Sequence, residues 1–228
     1  MLRYKTPAEN IPVTLSLTGQ LTHLAMAPKV KITYFNLRGR AEPSRLLLAY
    51  GGIKYEDCRV TPAFQDPTEW QALKPKTPYG SLPLLEWDGT CIAQSMAVAR
   101  FIAREVGLAG KCNMESAQID EIIDAINDMV NAGARAFFSK DEAQMKKHAT
   151  ETIPAGLSNI EKRLECRGGQ FLVGNAFSWA DLHLFDFCFN LPDKSCLDKY
   201  PKIKNLTERV ACIPNIKCWV ESRPKTNL

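Results

Sequence analysis

A chain of 228 residues can hold one large domain or two small ones, and its 45% apolar content supplies a full core. A net charge of +4 is too small to mark a nucleic-acid binder. No run approaches the ~18 apolar residues that a membrane span requires, so neither nucleic acid nor a bilayer is an expected partner.

Residues 1–28 carry three prolines, scattered Leu and Thr, and one acidic residue, Glu9. Arg3 and Lys5 ahead of Val13-Thr14-Leu15-Ser16-Leu17 are faintly like a targeting segment, but Thr, Gly and Gln interrupt the apolar run. The stretch reads as a flexible extension. The body begins with a strand over 29–36, for which Val30, Ile32 and Tyr34 supply the strand formers. Gly39 permits a sharp turn. A helix then runs over 41–50, with Pro43 in its first turn, where a missing N–H is no loss, and Gly51-Gly52 at its end. A second strand follows over 54–59. A short helix over 66–73 is opened by Asp66-Pro67 and closed by Lys74-Pro75. Gly80–Trp87 reads as a third strand, Trp87-Asp88-Gly89-Thr90 as a tight hairpin, and Cys91-Ile92-Ala93 as a fourth. Gln94-Ser95 open a helix to about Glu105. The order β-α-β-α-β-β-α assigns a mixed sheet with helices to residues 29–106.

Gly107–Lys111 is a linker, and beyond it no strand pattern appears. Ile119, Ile122, Ile123, Ile126, Val130 and Phe137 fall at helical spacing and predict a helix over 117–138. A second long helix is expected over 141–167, kinked at Pro154. Ser178-Trp179-Ala180-Asp181 is a capping box that opens a helix over 179–190, with Phe177 and Leu182 as its apolar staple. Tyr200-Pro201 and Ile213-Pro214 precede two more helices, over 202–212 and 215–222. Residues 112–228 are thus all-helical, and the fold class is α/β plus all-α.

Eight cysteines stand at 58, 91, 112, 166, 188, 196, 212 and 218. None forms a C-x-x-C pair and the three histidines do not cluster with them, so no metal site is indicated. With no clear signal peptide, free buried thiols and a cytoplasmic location are the expectation.

The chemistry-bearing residues gather on the first half. Tyr34 sits at the carboxyl end of a strand beside a helix N-terminus, where α/β sheets place ligands, and a phenol there can donate to a developing anion. Leu82-Pro83, if cis, turns the Leu82 N–H and C=O toward a peptide-like ligand; the alternative is an ordinary edge-strand proline. Gln94 and Ser95 begin a helix, either as a plain cap or as an anion site. Asp120, Asp124 and Asp128 recur at i, i+4 and i+8, either as a solvated stripe or as a trap for an ammonium group or a divalent ion. Trp70 and Lys74, at i and i+4, either clamp a second carboxylate or form a surface helix with a half-buried Trp.

In this order these pieces resemble a glutathione S-transferase, most closely of the sigma class, over about residues 29–228. The pieces are Tyr34-Phe35-Asn36 with Arg38-Gly39-Arg40-Ala41-Glu42-Pro43, then Trp70-Gln71-Ala72-Leu73-Lys74-Pro75. Tyr79-Gly80-Ser81-Leu82-Pro83-Leu84-Leu85-Glu86, Gln94-Ser95 and Phe177-Ser178-Trp179-Ala180-Asp181-Leu182 complete them. The resemblance implies a thioredoxin-like glutathione-binding domain over 29–106, an all-α domain over 112–228 that holds the acceptor site, and a homodimer. It implies glutathione as co-substrate, a small electrophile as acceptor, and a detoxifying conjugation, with peroxidase activity of the same class conceivable. It implies that Tyr34 stabilises the glutathione thiolate with Arg40 beside the sulfur, and that Ser81 and Leu82 meet the cysteinyl backbone. Trp70 and Lys74 would hold the glycyl carboxylate, Gln94 and Ser95 the γ-glutamyl carboxylate, and Asp128 would reach the γ-glutamyl group of the partner subunit. Phe35, Arg40, Arg135 and Leu228 are the candidate acceptor residues. The same class includes prostaglandin D isomerases and non-catalytic lens or carrier proteins, which are the alternatives. Two features depart from the isomerases: Ala132-Gly133-Ala134-Arg135 lacks their pocket aromatic, and Asn127 replaces one carboxylate of their acidic cluster.

Overall fold

A computed structural model describes residues 27–226. The expected extension lies almost wholly outside that range, as does Leu228. Four strands form one sheet in the order β2-β1-β3-β4: β1 Val30–Phe35, β2 Glu56–Val60, β3 Leu84–Trp87 and β4 Thr90–Ala93. β1 runs parallel to β2 and antiparallel to β3, and β3 and β4 form the hairpin. Asp88 and Gly89 both adopt positive φ at its tip, which suits a tight primed turn. Helices α1 (Glu42–Tyr50), α2 (Thr68–Leu73) and α3 (Ser95–Glu105) complete this half. Ile32, Leu46, Leu47, Leu85, Val98 and Ile102 have no exposed surface and make its core.

Among its described residues the second half has helices joined by turns and loops, and no strand. α4 (Asn113–Ser139) buries Ile119, Ile122, Ile123 and Ile126, a stripe at i, i+3, i+4 and i+7. α7 (Trp179–Phe189) has no polar face, because it runs through the middle of the helical half with every residue from Trp179 to Cys188 buried. Its start is the expected capping box: Asp181 Oδ2 accepts from the Ser178 N–H at 2.8 Å and from the Ser178 hydroxyl at 2.9 Å. Phe177, expected as a staple on Leu182, stacks on Tyr50 of α1 at 5.3 Å and so ties the two halves together. α8 (Pro201–Ala211) and α9 (Pro214–Ser222) close the chain around α7 and α1.

Two expectations are corrected. The segment 141–167 is not one kinked helix. It is α5 (Glu142–Lys147), a π-helical turn over His148–Thr152, and α6 (Ile153–Cys166). Pro154 cannot donate to the carbonyl four residues back and its ring crowds that group, and the wider π turn absorbs the misfit. The thiols are free, but only Cys188, on the enclosed α7, is buried; Cys91 on the edge strand β4 and Cys112, Cys166, Cys212 and Cys218 at helices and their ends are exposed.

Candidate functional site

The sheet brings the candidate residues to one end. β1 ends at Phe35, and pairing of Thr33 with Leu84 leaves the Leu82-Pro83 segment entering beside the end of β1. Pairing of Leu84 with Ala93 sets Gln94 and Ser95 beside that segment in turn. The Leu82-Pro83 bond is cis, as the ligand-pairing reading requires.

Tyr34 is the best defined member. Its side chain is 6% exposed and lies under the turn that leads into α1. The Arg40 backbone N–H donates to its hydroxyl oxygen at 3.1 Å. Gly39 adopts φ +40, and a methyl group on it would stand 2.8 Å from that same oxygen. Glycine is needed here twice over, for the backbone and for the space. Burial pushes the phenol's pKa up; the Arg40 N–H and the charges of Arg40 and Arg45 act in the opposite direction without overcoming it. At neutral pH the group is therefore a neutral hydroxyl. With its oxygen already accepting from a backbone amide, its own hydrogen can serve an anion, and the arrangement makes Tyr34 a donor and not a base.

The aromatic row continues outward. Phe35 meets Tyr34 edge-on at 5.6 Å and Trp70 of α2 at 5.3 Å. Lys74 follows one turn after Trp70, and its methylene stem lies over Gly80, 3.4 Å from where a side chain would begin. Gly80 is thus the floor under the Lys74 stem, just ahead of half-buried Ser81 and buried Leu82. Gln94 caps α3 with φ +73 and ψ 115, a conformation that costs a non-glycine residue of order 1–3 kcal/mol. Strain of this kind concentrates where a side chain must be aimed. Ser95 is buried at the first position of α3, with the helix's free N–H groups around it.

The helical half contributes one wall. Arg40 Nη2 donates to Asn131 Oδ1 on α4 at 2.8 Å, so its guanidinium links the turn before α1 to the helical half. Arg135 is exposed one turn beyond Asn131. Asp128 is not gathered with the sheet-end residues. It lines a separate cavity of about 370 Å³ between α4 and α6, with Glu121, Met129, Asn159 and Arg163. Asp120, expected in the same stripe, is drawn off into an ion pair with Arg100 of α3 at 2.8 Å. Two participants were not legible. Asn131 carries no motif, and His148 of the π turn stands against Gly133, where any side chain would meet its Nε2 at 2.7 Å.

Residues 30–104 match the family model described as glutathione S-transferase, N-terminal domain, and residues 127–223 match glutathione S-transferase, C-terminal domain. The chain is 42% identical over 204 residues to a hematopoietic prostaglandin D synthase of Gallus gallus, covering 87% of this chain and 98% of that one. It is 39% identical over 211 residues to glutathione S-transferase 1 of Ascaris suum, with the same shares. Among solved structures, rat hPGDS complexed with a quinoline superposes with a TM-score of 0.80 at 33% identity, over 88% of this chain and all of that one.

Proposed function

Because the chain belongs to the glutathione S-transferase family, we propose that its Tyr34 hydroxyl activates the thiol of glutathione for attack on a small electrophile. The observation that carries this is the buried neutral phenol whose oxygen accepts the Arg40 N–H. A free thiol has pKa near ~8.5 and is mostly protonated at neutral pH. A donor aimed at sulfur favours the anion and lowers that value. The thiolate then forms a C–S bond with the acceptor, and the electron pair it displaces leaves with a halide or is taken up by a proton. Trp70 and Lys74 hold the glycyl carboxylate, Ser81 and Leu82 the cysteinyl backbone, and Gln94 with Ser95 the γ-glutamyl carboxylate. The chain works as a homodimer of the sigma class, in which Asp128 of one copy faces the γ-glutamyl group bound to the other. Its separation from the sheet-end cluster supports this reading, since within one copy it has no role there. The role is cytoplasmic detoxification. Prostaglandin isomerisation, suggested by the name of the Gallus gallus relative, is disfavoured by the aromatic-free stretch 132–135 with His148 packed against it.

The test is ultraviolet absorbance of bound glutathione thiolate against pH, for wild type and Tyr34→Phe, beside turnover of a chloronitroaromatic. A hydrogen bond to a charged group is worth about 1.5–3 kcal/mol. Removing it should raise the thiol pKa by roughly one to two and lower turnover about ten- to a hundredfold, with retention on glutathione-agarose intact. Identical thiol titrations in the two proteins would exclude Tyr34 as the activating group.

A further inference from the structure

Behind the Tyr34 turn the structure encloses a chain of charged groups that the site does not use directly. Glu42, in the first turn of α1, has no exposed surface. Its Oε1 accepts from the Trp219 indole N–H of α9 at 2.8 Å and from Arg223, just past α9, at 2.6 Å. Its Oε2 accepts from Arg45 Nη1 at 3.3 Å. Arg45 is equally enclosed. It donates Nε to Asp57 of β2 at 3.0 Å and Nη1 to the Leu37 carbonyl at 2.8 Å, and its guanidinium carbon lies 5.9 Å from the centre of the Tyr34 ring. Arg223 is itself held over the Phe189 ring of α7 at 4.7 Å.

A buried ion chain is a poor source of stability, because well-packed apolar groups often do as well. What it supplies here is placement. Leu37 lies in the turn that delivers Gly39 and the Arg40 N–H to the Tyr34 hydroxyl. Arg45 Nη1 is divided between the Leu37 carbonyl and Glu42 Oε2, while its Nε is held by Asp57. Arg223 and the Trp219 indole both occupy Oε1 of Glu42, and Arg223 is the cation of the two. Removing Arg223 leaves more of the Glu42 charge to fall on Arg45 Nη1, in competition with the Leu37 carbonyl.

We propose that Arg223 is a positioning residue for Tyr34, acting through Glu42 and Arg45 to fix the 37–40 turn and the Arg40 N–H contact to the phenol. Activation of the thiol then depends on a residue at the end of α9, far from Tyr34 in sequence. Asp186 of α7 supports the assignment: burial and the charge of Glu42 push its carboxyl up to about 7, while Arg223, Asn190 and Arg38 act against that rise. Arg223 is the cation that serves two enclosed acidic groups at once.

The inference rests on the Tyr34 reading, and the experiment separates the two. Arg223→Met, Arg223→Lys and Trp219→Phe are compared with wild type and Tyr34→Phe by thiolate titration, kcat and KM. In Arg223→Met the bound thiol should titrate at higher pH and kcat at neutral pH should fall about three- to tenfold, the scale of a weakened bond to a charged group, with KM for glutathione unchanged. Arg223→Lys should recover most of the loss. On a Tyr34→Phe background Arg223→Met should cost nothing further, since the two then act on one interaction. A full additive loss on that background, or a kcat loss with the thiol titration unmoved, overturns the proposal. If Arg223→Met does not fold, Trp219→Phe keeps an aromatic side chain, removes one donor to Glu42, and is read by the same criteria. If Tyr34→Phe leaves the titration unmoved, the reading of Tyr34 fails first; if it alone moves the titration, only the role of Arg223 fails.

Discussion

The end of the sheet and α4 are joined through Arg40 and Asn131 but are built differently. At the sheet end each group is held by backbone: Tyr34 under a glycine turn, Leu82 ahead of a cis proline, Ser95 at a helix start. On α4 the groups are side chains on one exposed helix face, with Asn131 reaching Arg40 and Arg135 standing free of the sheet. The first region is rigid by construction and suits a constant ligand such as glutathione. The second can change residue by residue without disturbing the fold. Each substitution below either breaks that contrast or sharpens it.

The largest effect is expected from Gly39→Ala. A non-glycine residue at φ +40 costs about 1–2 kcal/mol, and the new methyl would lie 2.8 Å from the Tyr34 hydroxyl. Turnover should fall about tenfold or more as the donor is displaced, since each ~1.4 kcal/mol of lost transition-state stabilisation is a factor of ten. Gly89→Ala is the control: its φ is +82 but no atom stands within 4 Å of the added methyl. It should lower the melting temperature and leave kcat alone. Equal kcat losses in the two variants would show that Gly39 matters only as a turn.

Next comes Asp128→Asn. If the carboxylate serves the partner subunit's glutathione, the affinity for glutathione should weaken by about 1–2 kcal/mol, the range of a charge-assisted bond. Asp124→Asn, four residues away on the same exposed side of α4, should do much less. Calorimetric titration with glutathione decides it, and matching small effects would return both residues to the status of a solvated stripe.

A smaller change is expected from Arg135→Ala. An exposed cation contributes about 0.2–1 kcal/mol to an ion pair, so kcat/KM for acceptors that carry a carboxylate should fall up to about fivefold. Neutral acceptors and glutathione affinity should be unaffected. A parallel fall for charged and neutral acceptors would make Arg135 a structural residue of the α4 end.

What could be read from the sequence follows the same division. The sheet end was legible because backbone chemistry leaves marks: Gly39, Pro43, the Leu82-Pro83 pair and Gln94-Ser95 each name a conformation. The capping box at Ser178 was legible for the same reason. The α4 wall was not. The hydrogen bond of Arg40 to Asn131 joins residues 91 apart, and nothing in an Asn on a helix signals it. Arg45 reads as one more position in an apolar helix, and only its enclosed partners Glu42, Asp57 and the Leu37 carbonyl reveal why a charge is there. Asp120 and Asp128 share a period but not a role, because α3 supplies Arg100 to one and α6 lines a groove beside the other. The π turn was hidden too, since Pro154 announces a disturbance without saying how the preceding turn absorbs it.

The smallest effect on turnover is expected in α7, which belongs to neither wall, and there stability against pH is the sharper measurement. His183 is enclosed with no partner on either ring nitrogen, and burial lowers its pKa from 6.5 to about 4. Unfolded, it would protonate near 6.5; folded, it stays neutral until about 4. Stability from this group is therefore complete above 6.5 and is lost as pH falls through that window. Asp186, three residues on, has the opposite sign: its carboxyl is raised from 3.8 to about 7. The folded state holds that proton where the unfolded state has released it, so its contribution is complete below 3.8 and is lost as pH rises through about 7. Between about pH 4.5 and 6.5 the two oppose one another on a single helix. His183→Leu removes only the first. The difference in unfolding free energy between variant and wild type should therefore move in favour of the variant as pH is lowered from 7 to 5, by about 1–2 kcal/mol at ~1.4 kcal/mol per pH unit. Kcat at neutral pH should not change. Denaturant unfolding at the two pH values gives the comparison. A difference that does not vary with pH would mean that His183 finds a partner, such as a buried water, that lets it hold its proton in the folded protein.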